Sequence, residues 1–201
     1  MSRNAVGGPG VGSREPVRRH LSERQADTVE RLTAAAVDEV RNTGYDGLSV
    51  RNVARRAGVA PATAYTYFAS KDHLVAEVFR RRLEAQAPTD HATEADPADR
   101  VTAAIGDIAE VVAGEPELAA ACTHALLAGD PDVARLRGII GLGFLSRLTD
   151  ALGDDADDGV VDALNLALSG AMLQSGMGVF AHAELADRMR PVVALVLGGR
   201  R

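Results

Sequence analysis

Residues 44–74 read GYDGLSVRNVARRAGVAPATAYTYFASKDHL, a pattern of two short helices joined by a turn. Ser49 is a suitable N-cap for the first helix, because its side-chain oxygen can accept a hydrogen bond from a free backbone amide of the first turn. Gly58 stands where a helix commonly ends in a left-handed residue. Pro61 stands at the first position of the next helix, where its missing amide costs nothing. The stretch therefore predicts helix, turn and helix.

Each of these two helices has an apolar side and a polar side at the helical repeat of 100° per residue. In the second helix, Ala64 and Phe68 are one turn apart and are expected to face inward together with Pro61. The outward side is small and hydroxylated, and it comprises Ala62, Thr63, Tyr65, Thr66 and Tyr67. Such a surface suits the major groove of DNA, where Thr can bond to a base edge, Ala can contact a thymine methyl and Tyr can reach phosphates.

The helix that follows begins with a feature that also points to phosphate. Ser70 can cap this helix, and Lys71, the only lysine of the chain, stands in its first turn. The helix dipole disfavours a cation at that position, so a nearby phosphate would explain Lys71. The alternative for the whole stretch is a packed helical corner without a DNA-binding role.

The same residues resemble the N-terminal domain of the TetR family of bacterial transcriptional regulators. The resemblance lies in four motifs within residues 22–82, namely G-Y-x-x-L-S-V-R from Gly44, A-x-x-A-G-V from Ala54, T-x-Y-x-Y-F from Thr63 and F-x-S-K from Phe68. It implies an all-helical homodimer whose second domain binds a small ligand and thereby loosens the protein from its operator. The resemblance places DNA contacts on Ser49, Val50, Arg51, Pro61, Ala62, Thr63, Tyr65, Tyr67 and Lys71.

Composition and charge agree with this interpretation. Hydrophobic residues make up 46% of the 201 residues, aromatics only 3%, and Trp is absent, which favours helix-on-helix packing and an all-α fold. Residues 1–82 carry 14 Lys and Arg against 9 Asp and Glu, a net charge of +5. Residues 83–201 carry 8 against 19, a net charge of −11. The half that contains the motif thus has the excess of positive charge that a phosphate-facing surface needs.

The chain divides into three parts. Residues 1–21 are expected to be a disordered basic arm, and a capping box at Ser22 and Gln25 is expected to begin the ordered structure. Residues 22–86 form the helix-turn-helix DNA-binding domain with the start of a connecting helix. Residues 87–201 form a helical effector-binding and dimerisation domain. The sequence contains neither an apolar secretion signal nor a run of about 18 apolar residues, so a cytoplasmic protein without a membrane partner is expected.

Acidic residues followed by proline divide the second domain into helices. Pro97, Pro116 and Pro131 each follow an Asp or Glu, which predicts helices near 97–113, 116–128 and 131–152. An apolar helix is expected over 157–182 and a final helix over 184–197. The resemblance implies that these two helices form a four-helix bundle across the two-fold axis of a homodimer, and a bundle within one chain is the alternative that the sequence leaves open. Four aspartates between Gly153 and Val160 lack the spacing of a calcium loop, so we expect a solvated turn there and neither a metal nor a cofactor.

A ligand pocket is expected between the connecting helix and the apolar helix. Its candidate residues are Phe79, Leu83, Cys122, His124, Phe144, Met172, Gln174 and Met177. Cys122, His124 and Gln174 are the polar or soft groups that could orient a ligand, with ordinary core packing as the alternative for each. The scarcity of charge favours a mostly apolar or neutral effector.

These residues bear on three functional classes. The favoured one is a ligand-responsive regulator, most simply a repressor that a small apolar molecule releases from a palindromic operator in double-stranded DNA. A helical protein-binding adaptor without sequence-specific DNA binding is the alternative. An enzyme with Cys122 as nucleophile and His124 as base is not expected, because residues two apart on a helix point some 200° away from each other.

Overall fold

The computed structural model describes residues 15–86 and 96–199, and within these ranges the chain is all-helical, without a strand. The nine helices of this part of the chain are α1 (Glu15–Gly47), α2 (Val50–Arg56), α3 (Pro61–Tyr67), α4 (Lys71–Ala85), α5 (Pro97–Glu110), α6 (Pro116–Leu126), α7 (Pro131–Leu152), α8 (Asp158–Gly176) and α9 (Leu185–Gly198). The all-α fold expected from composition is confirmed.

The helix-turn-helix unit forms from the local signals in its sequence. Ser49 accepts a hydrogen bond from the Asn52 amide at 3.1 Å, and Ser70 accepts one from the His73 amide at 3.0 Å, so both predicted caps are confirmed. Gly58 has φ +64°, a left-handed conformation that favours glycine. Pro61 opens α3 as predicted. Buried side chains of α2 and α3 join those of α1 in one core, and they include Val50, Val53, Ala54, Ala64 and Phe68.

The start of α1 differs from the sequence prediction. The helix begins at Glu15 and not at the capping box of Ser22 and Gln25. Ser22 and Gln25 lie within the described helix, so their capping box does not begin it. Residues 15–21 of the predicted disordered arm are therefore helical, and the remainder of that arm, residues 1–14, lies outside the described residues.

Helix α4 links the two halves of the chain, because it contacts α1 as well as α6 and α7. Its buried side chains cover a wide arc and comprise Leu74, Val75, Ala76, Val78, Phe79 and Leu83. The end of α4 is fixed from α7, where the Arg147 guanidinium donates to the Leu83 carbonyl at 2.6 Å and to the Gln86 carbonyl at 2.9 Å. This arrangement satisfies carbonyls that a helix C-terminus leaves without partners.

Residues 96–199 follow the predicted order of helices. Helices α5, α6 and α7 begin at the three prolines, and Asp96 and Asp130 cap α5 and α7 through their carboxylates. Residues 153–159 are exposed, and Asp157 accepts bonds from the first amides of α8, as expected of a solvated turn before a helix. No described helix has the length and apolar character needed to cross a bilayer.

The predicted helix over 157–182 is too long. Helix α8 ends at Gly176, and the chain turns at Gly178, whose φ is +78°. A single 3-10 turn, His182–Glu184, then leads into α9. Part of the apolar surface here is not buried within one chain, because Leu166 on α8 and Met177 just after its end remain largely exposed.

Candidate DNA-binding face and ligand cavity

The outward side of α3 is open to solvent. Its exposed residues, which we call the recognition face, are Ala62, Thr63, Tyr65 and Thr66. Tyr65 is 52% exposed, whereas Ala64 and Phe68 on the opposite side are almost fully buried, as predicted. Tyr67 is half-buried at the edge of the recognition face. Pro61 is exposed and does not face inward, because as the first residue of α3 it precedes the contact with the core.

Helix α2 presents arginines beside the recognition face. Arg51 is exposed, and Arg55 donates to the Asn52 side chain at 3.2 Å. Arg56 forms an ion pair with the buried carboxylate of Glu39 on α1 at 2.8 Å, so part of its role is to fix α2 on α1. Positive charge on this side of the unit suits phosphate.

Two predicted DNA contacts of α2 have other roles in the structure. Val50 is only 3% exposed, and its side chain lies in the core because it shares the inward side of α2 with Val53. Ser49 is half-buried and uses its hydroxyl to cap α2. The outward side chain among these three neighbours is that of Arg51.

Lys71 also has a partner within the protein. Its ammonium group donates to the Tyr45 carbonyl at 2.9 Å and lies 4.0 Å from the centroid of the Tyr45 ring. The Tyr45 hydroxyl in turn donates to the Asp72 carboxylate. Burial raises the pKa of Tyr45, and the neighbouring Asp72 raises it further. A cation at the start of α4 is therefore explained by Tyr45 without a phosphate.

A cavity of about 240 Å³ lies among α4, α6, α7 and α8. Four predicted residues line it, namely Phe79, Cys122, Phe144 and Met172. The rings of Phe79 and Phe144 meet edge to face with centroids 6.3 Å apart. Burial raises the pKa of the Cys122 thiol to about 12, so this group is uncharged at neutral pH. The cavity wall is thus mostly apolar, as expected.

The other four predicted ligand residues do not line this cavity. Leu83 is buried elsewhere in the core, and His124, Gln174 and Met177 are exposed. His124 points away from Cys122 on α6 and stacks on Tyr45, with ring centroids 5.1 Å apart. Gln174 lies one residue, or 100°, away from the buried Ser175, and Met177 follows the end of α8.

The structure adds polar residues to the cavity wall that the sequence did not indicate, namely Thr123, Arg137, Asn165, Ser169 and His182. His182 is 8% exposed, and its Nδ1 lies 2.8 Å from the Ser175 hydroxyl. Burial lowers the pKa of His182, which favours the neutral ring. The glycines at 176 and 178 were the signal for the chain reversal that brings His182 to the wall.

Helix α6 contacts both the cavity and the helices that carry the helix-turn-helix unit. Cys122 and Thr123 line the cavity, whereas Glu115 at the start of α6 binds Arg82 at 2.7 Å and Arg41 at 2.8 Å. Burial alone would raise the pKa of Glu115, but hydrogen bonds and charge from the two arginines hold it below its ordinary value. Helices α1, α4 and α6 therefore meet at one carboxylate.

This arrangement is that of a DNA-binding regulator of the helix-turn-helix class. Residues 32–78 match the family model described as bacterial regulatory proteins, tetR family. A helix-turn-helix-type transcriptional regulator of Mycobacterium tuberculosis is 47% identical over 180 residues, which cover 89% of this chain and 84% of the relative. The chain belongs to the tetR family of bacterial regulatory proteins.

Two further comparisons concern part of the chain and the overall fold. The transcriptional repressor KstR of Mycolicibacterium smegmatis is 34% identical over 116 residues, or 56% of this chain and 57% of KstR. A TetR transcriptional regulator from Rhodococcus sp. RHA1 superimposes with a TM-score of 0.70 at 21% identity, over 89% of this chain and 99% of the other. The regulator class and the helical fold agree with the sequence interpretation.

Proposed function

We propose that this protein is a homodimeric repressor that binds a palindromic operator and leaves it when a small, mostly apolar molecule occupies the cavity. The observation that carries the proposal is the position of α6, with the cavity on one side and Tyr45, Arg41 and Arg82 on the other. Repression is the activity named for KstR, which is 34% identical to this chain over 116 residues.

The recognition face and Arg51 are the proposed DNA contacts. In the major groove Thr63 and Tyr65 would lie against base edges and neighbouring phosphates, and Arg51 would bind phosphate from the start of α2. The exposure of these three side chains supports the assignment.

Arg51→Ala and Tyr65→Ala are each expected to weaken operator binding by roughly 10- to 100-fold, the loss typical of a base or phosphate contact. Binding is measured by fluorescence anisotropy on the DNA upstream of the protein's own gene at two salt concentrations. Arg51→Ala should also reduce the salt dependence, because one phosphate contact is lost. Arg135→Ala is the matched control, since Arg135 is an exposed arginine of α7 in the second domain. Unchanged binding by both variants would remove the assignment of this face.

The proposed dimer interface is the exposed apolar side of α8 and α9. Leu166, Gly170, Leu173 and Met177 follow at intervals of three and four residues and share one side of α8. Leu195 on α9 is 77% exposed. Apolar residues that remain exposed along two neighbouring helices are typical of a surface that a second copy covers.

Leu166→Glu is expected to raise the dimer dissociation constant by roughly 100-fold or more, because a charge would be buried without a partner at an isologous contact. Light scattering over a dilution series measures the change. Leu142→Glu is the matched control, since Leu142 on α7 has the same 67% exposure as Leu166. A wild-type protein that is monomeric throughout the series would contradict the proposed assembly.

A further inference from the structure

Apart from the Cys122 thiol, a weak hydrogen-bonding group, the polar group with free hydrogen-bonding capacity in the buried part of the cavity wall is His182. His182 is 8% exposed and lines the cavity between the end of α8 and the start of α9. Nδ1 is already engaged by the Ser175 hydroxyl at 2.8 Å. The other ring nitrogen, Nε2, has no hydrogen-bond partner among the described residues, and it is not sealed from solvent, unlike Nδ1 of His73.

The hydrogen bonds of Ser175 restrict what Nε2 can offer. The Ser175 hydroxyl has one proton and two neighbours, the Phe180 carbonyl at 3.2 Å and Nδ1 of His182. If it donates to Phe180, Nδ1 must carry the ring proton and Nε2 accepts. If it donates to Nδ1, Nε2 carries the proton and donates. In either case the neutral ring presents one hydrogen-bonding position and no charge.

The remaining polar groups of the wall are either occupied or close to water. The Thr123 hydroxyl donates to the Ala119 carbonyl of its own helix at 3.1 Å. Arg137 is exposed and donates to the Ala128 carbonyl at 3.2 Å. Ser169 is exposed and Asn165 is half-buried, so water can satisfy both side chains. A ligand that fills the apolar part of the cavity therefore meets His182 as its buried polar partner.

We infer that the effector is an apolar molecule that carries one uncharged polar group, a hydroxyl or a ketone, which bonds to Nε2 of His182. The apolar body lies against Phe79, Phe144 and Met172. An ionised group would lose its hydration beside the neutral ring, and the charged side chain of the wall, Arg137, is exposed and already donates to the Ala128 carbonyl. The inference rests on the proposed function only in taking the cavity as the effector site.

Four rigid ten- or eleven-carbon probes test the inference by isothermal titration calorimetry on the full chain. They are tetralin, 2-tetralol, 2-tetralone and tetralin-2-carboxylate. His182→Leu is expected to weaken binding of the alcohol and the ketone by about tenfold, the value of one buried neutral hydrogen bond, and to leave tetralin within about twofold.

Two matched variants distinguish the contribution of Nε2 to probe binding from that of Nδ1. The His182→Gln amide can reach the position of Nε2, so this variant is expected to retain most of the preference for the alcohol and the ketone. The shorter His182→Asn amide reaches only the position of Nδ1 and is expected to behave like His182→Leu. Phe144→Leu is the control for shape, since it should weaken all bound probes alike. If His182→Leu fails to fold, the probe affinities of His182→Gln and His182→Asn are compared instead, and a preference for the alcohol and the ketone in the Gln variant alone supports the inference.

Three results would overturn the inference. Equal weakening of tetralin and 2-tetralol by His182→Leu would leave His182 a purely steric role. Strongest binding of the carboxylate, lost in Arg137→Gln, would make the cavity a site for anions. Absence of binding by all four probes would contradict the assignment of the cavity to an apolar ligand of this size. Operator binding by the wild-type protein, measured without probes, tests the proposed function separately, so the two can fail independently.

Discussion

Gly176→Ala is expected to destabilise the protein by about 3 kcal/mol, at the upper end of the usual cost of overpacking. A Cβ atom built on Gly176 would lie 2.5 Å from Cβ of Thr123 and closer still to its hydroxyl oxygen. A change of the Thr123 rotamer cannot relieve this contact, because Cβ is fixed to the backbone of α6. Helices α6 and α8 must therefore separate. Urea unfolding followed by circular dichroism measures the loss.

Gly138→Ala is the matched control for this substitution. Gly138 is an exposed residue within α7, and a Cβ atom there would meet nothing within 4 Å. Because alanine favours the helix over glycine, this variant should be more stable than the wild type by about 0.5–1 kcal/mol. A Gly176→Ala protein as stable as Gly138→Ala would show that α6 and α8 do not approach as closely as the structure places them.

Phe79→Ala is expected to cost about 3 kcal/mol, the lower end of the range for a buried phenylalanine. Phe79 is 1% exposed, and its ring meets that of Phe144 in the cavity wall. Because one side of the ring borders the cavity, fewer contacts are lost than in a fully packed core. The deletion joins the space of the ring to the existing cavity, and benzene should therefore stabilise this variant more than it stabilises the wild type.

Phe79→Leu is the control for Phe79→Ala. It retains most of the apolar volume, so we expect a loss of about 1 kcal/mol and little added response to benzene. Urea unfolding with and without saturating benzene gives both values. A response to benzene that is equal in all three proteins would mean that Phe79 does not border the cavity.

The helix-turn-helix unit was predictable because its signals are local. Ser49, Gly58, Pro61 and Ser70 each act within one turn of their own position, and the structure confirms all four roles. The position of Val50 in the motif did not predict its environment correctly. Its position in a motif suggested DNA contact, whereas its place on the inward side of α2 decides that it is buried.

The cavity was predictable only in part, because its wall depends on how distant helices pack. Phe79 and Phe144 are large apolar residues on sides that had to be buried, and both line the cavity. His124 and Gln174 have polar side chains that could orient a ligand, but the orientation of α6 and α8 places them at the surface. The sequence did not indicate His182, because the predicted helix over 157–182 was continuous. Without a reversal of chain direction after Gly176, His182 would not return to the cavity wall.

The double contact of α6 has a thermodynamic consequence for the proposed regulator. If a ligand in the cavity lowers the affinity for operator by some factor, the operator must lower the affinity for that ligand by the same factor. Protein bound to DNA would then respond only at a higher ligand concentration than free protein. The number of operators in the cell relative to the number of regulator molecules would thus help to set the sensitivity of the response.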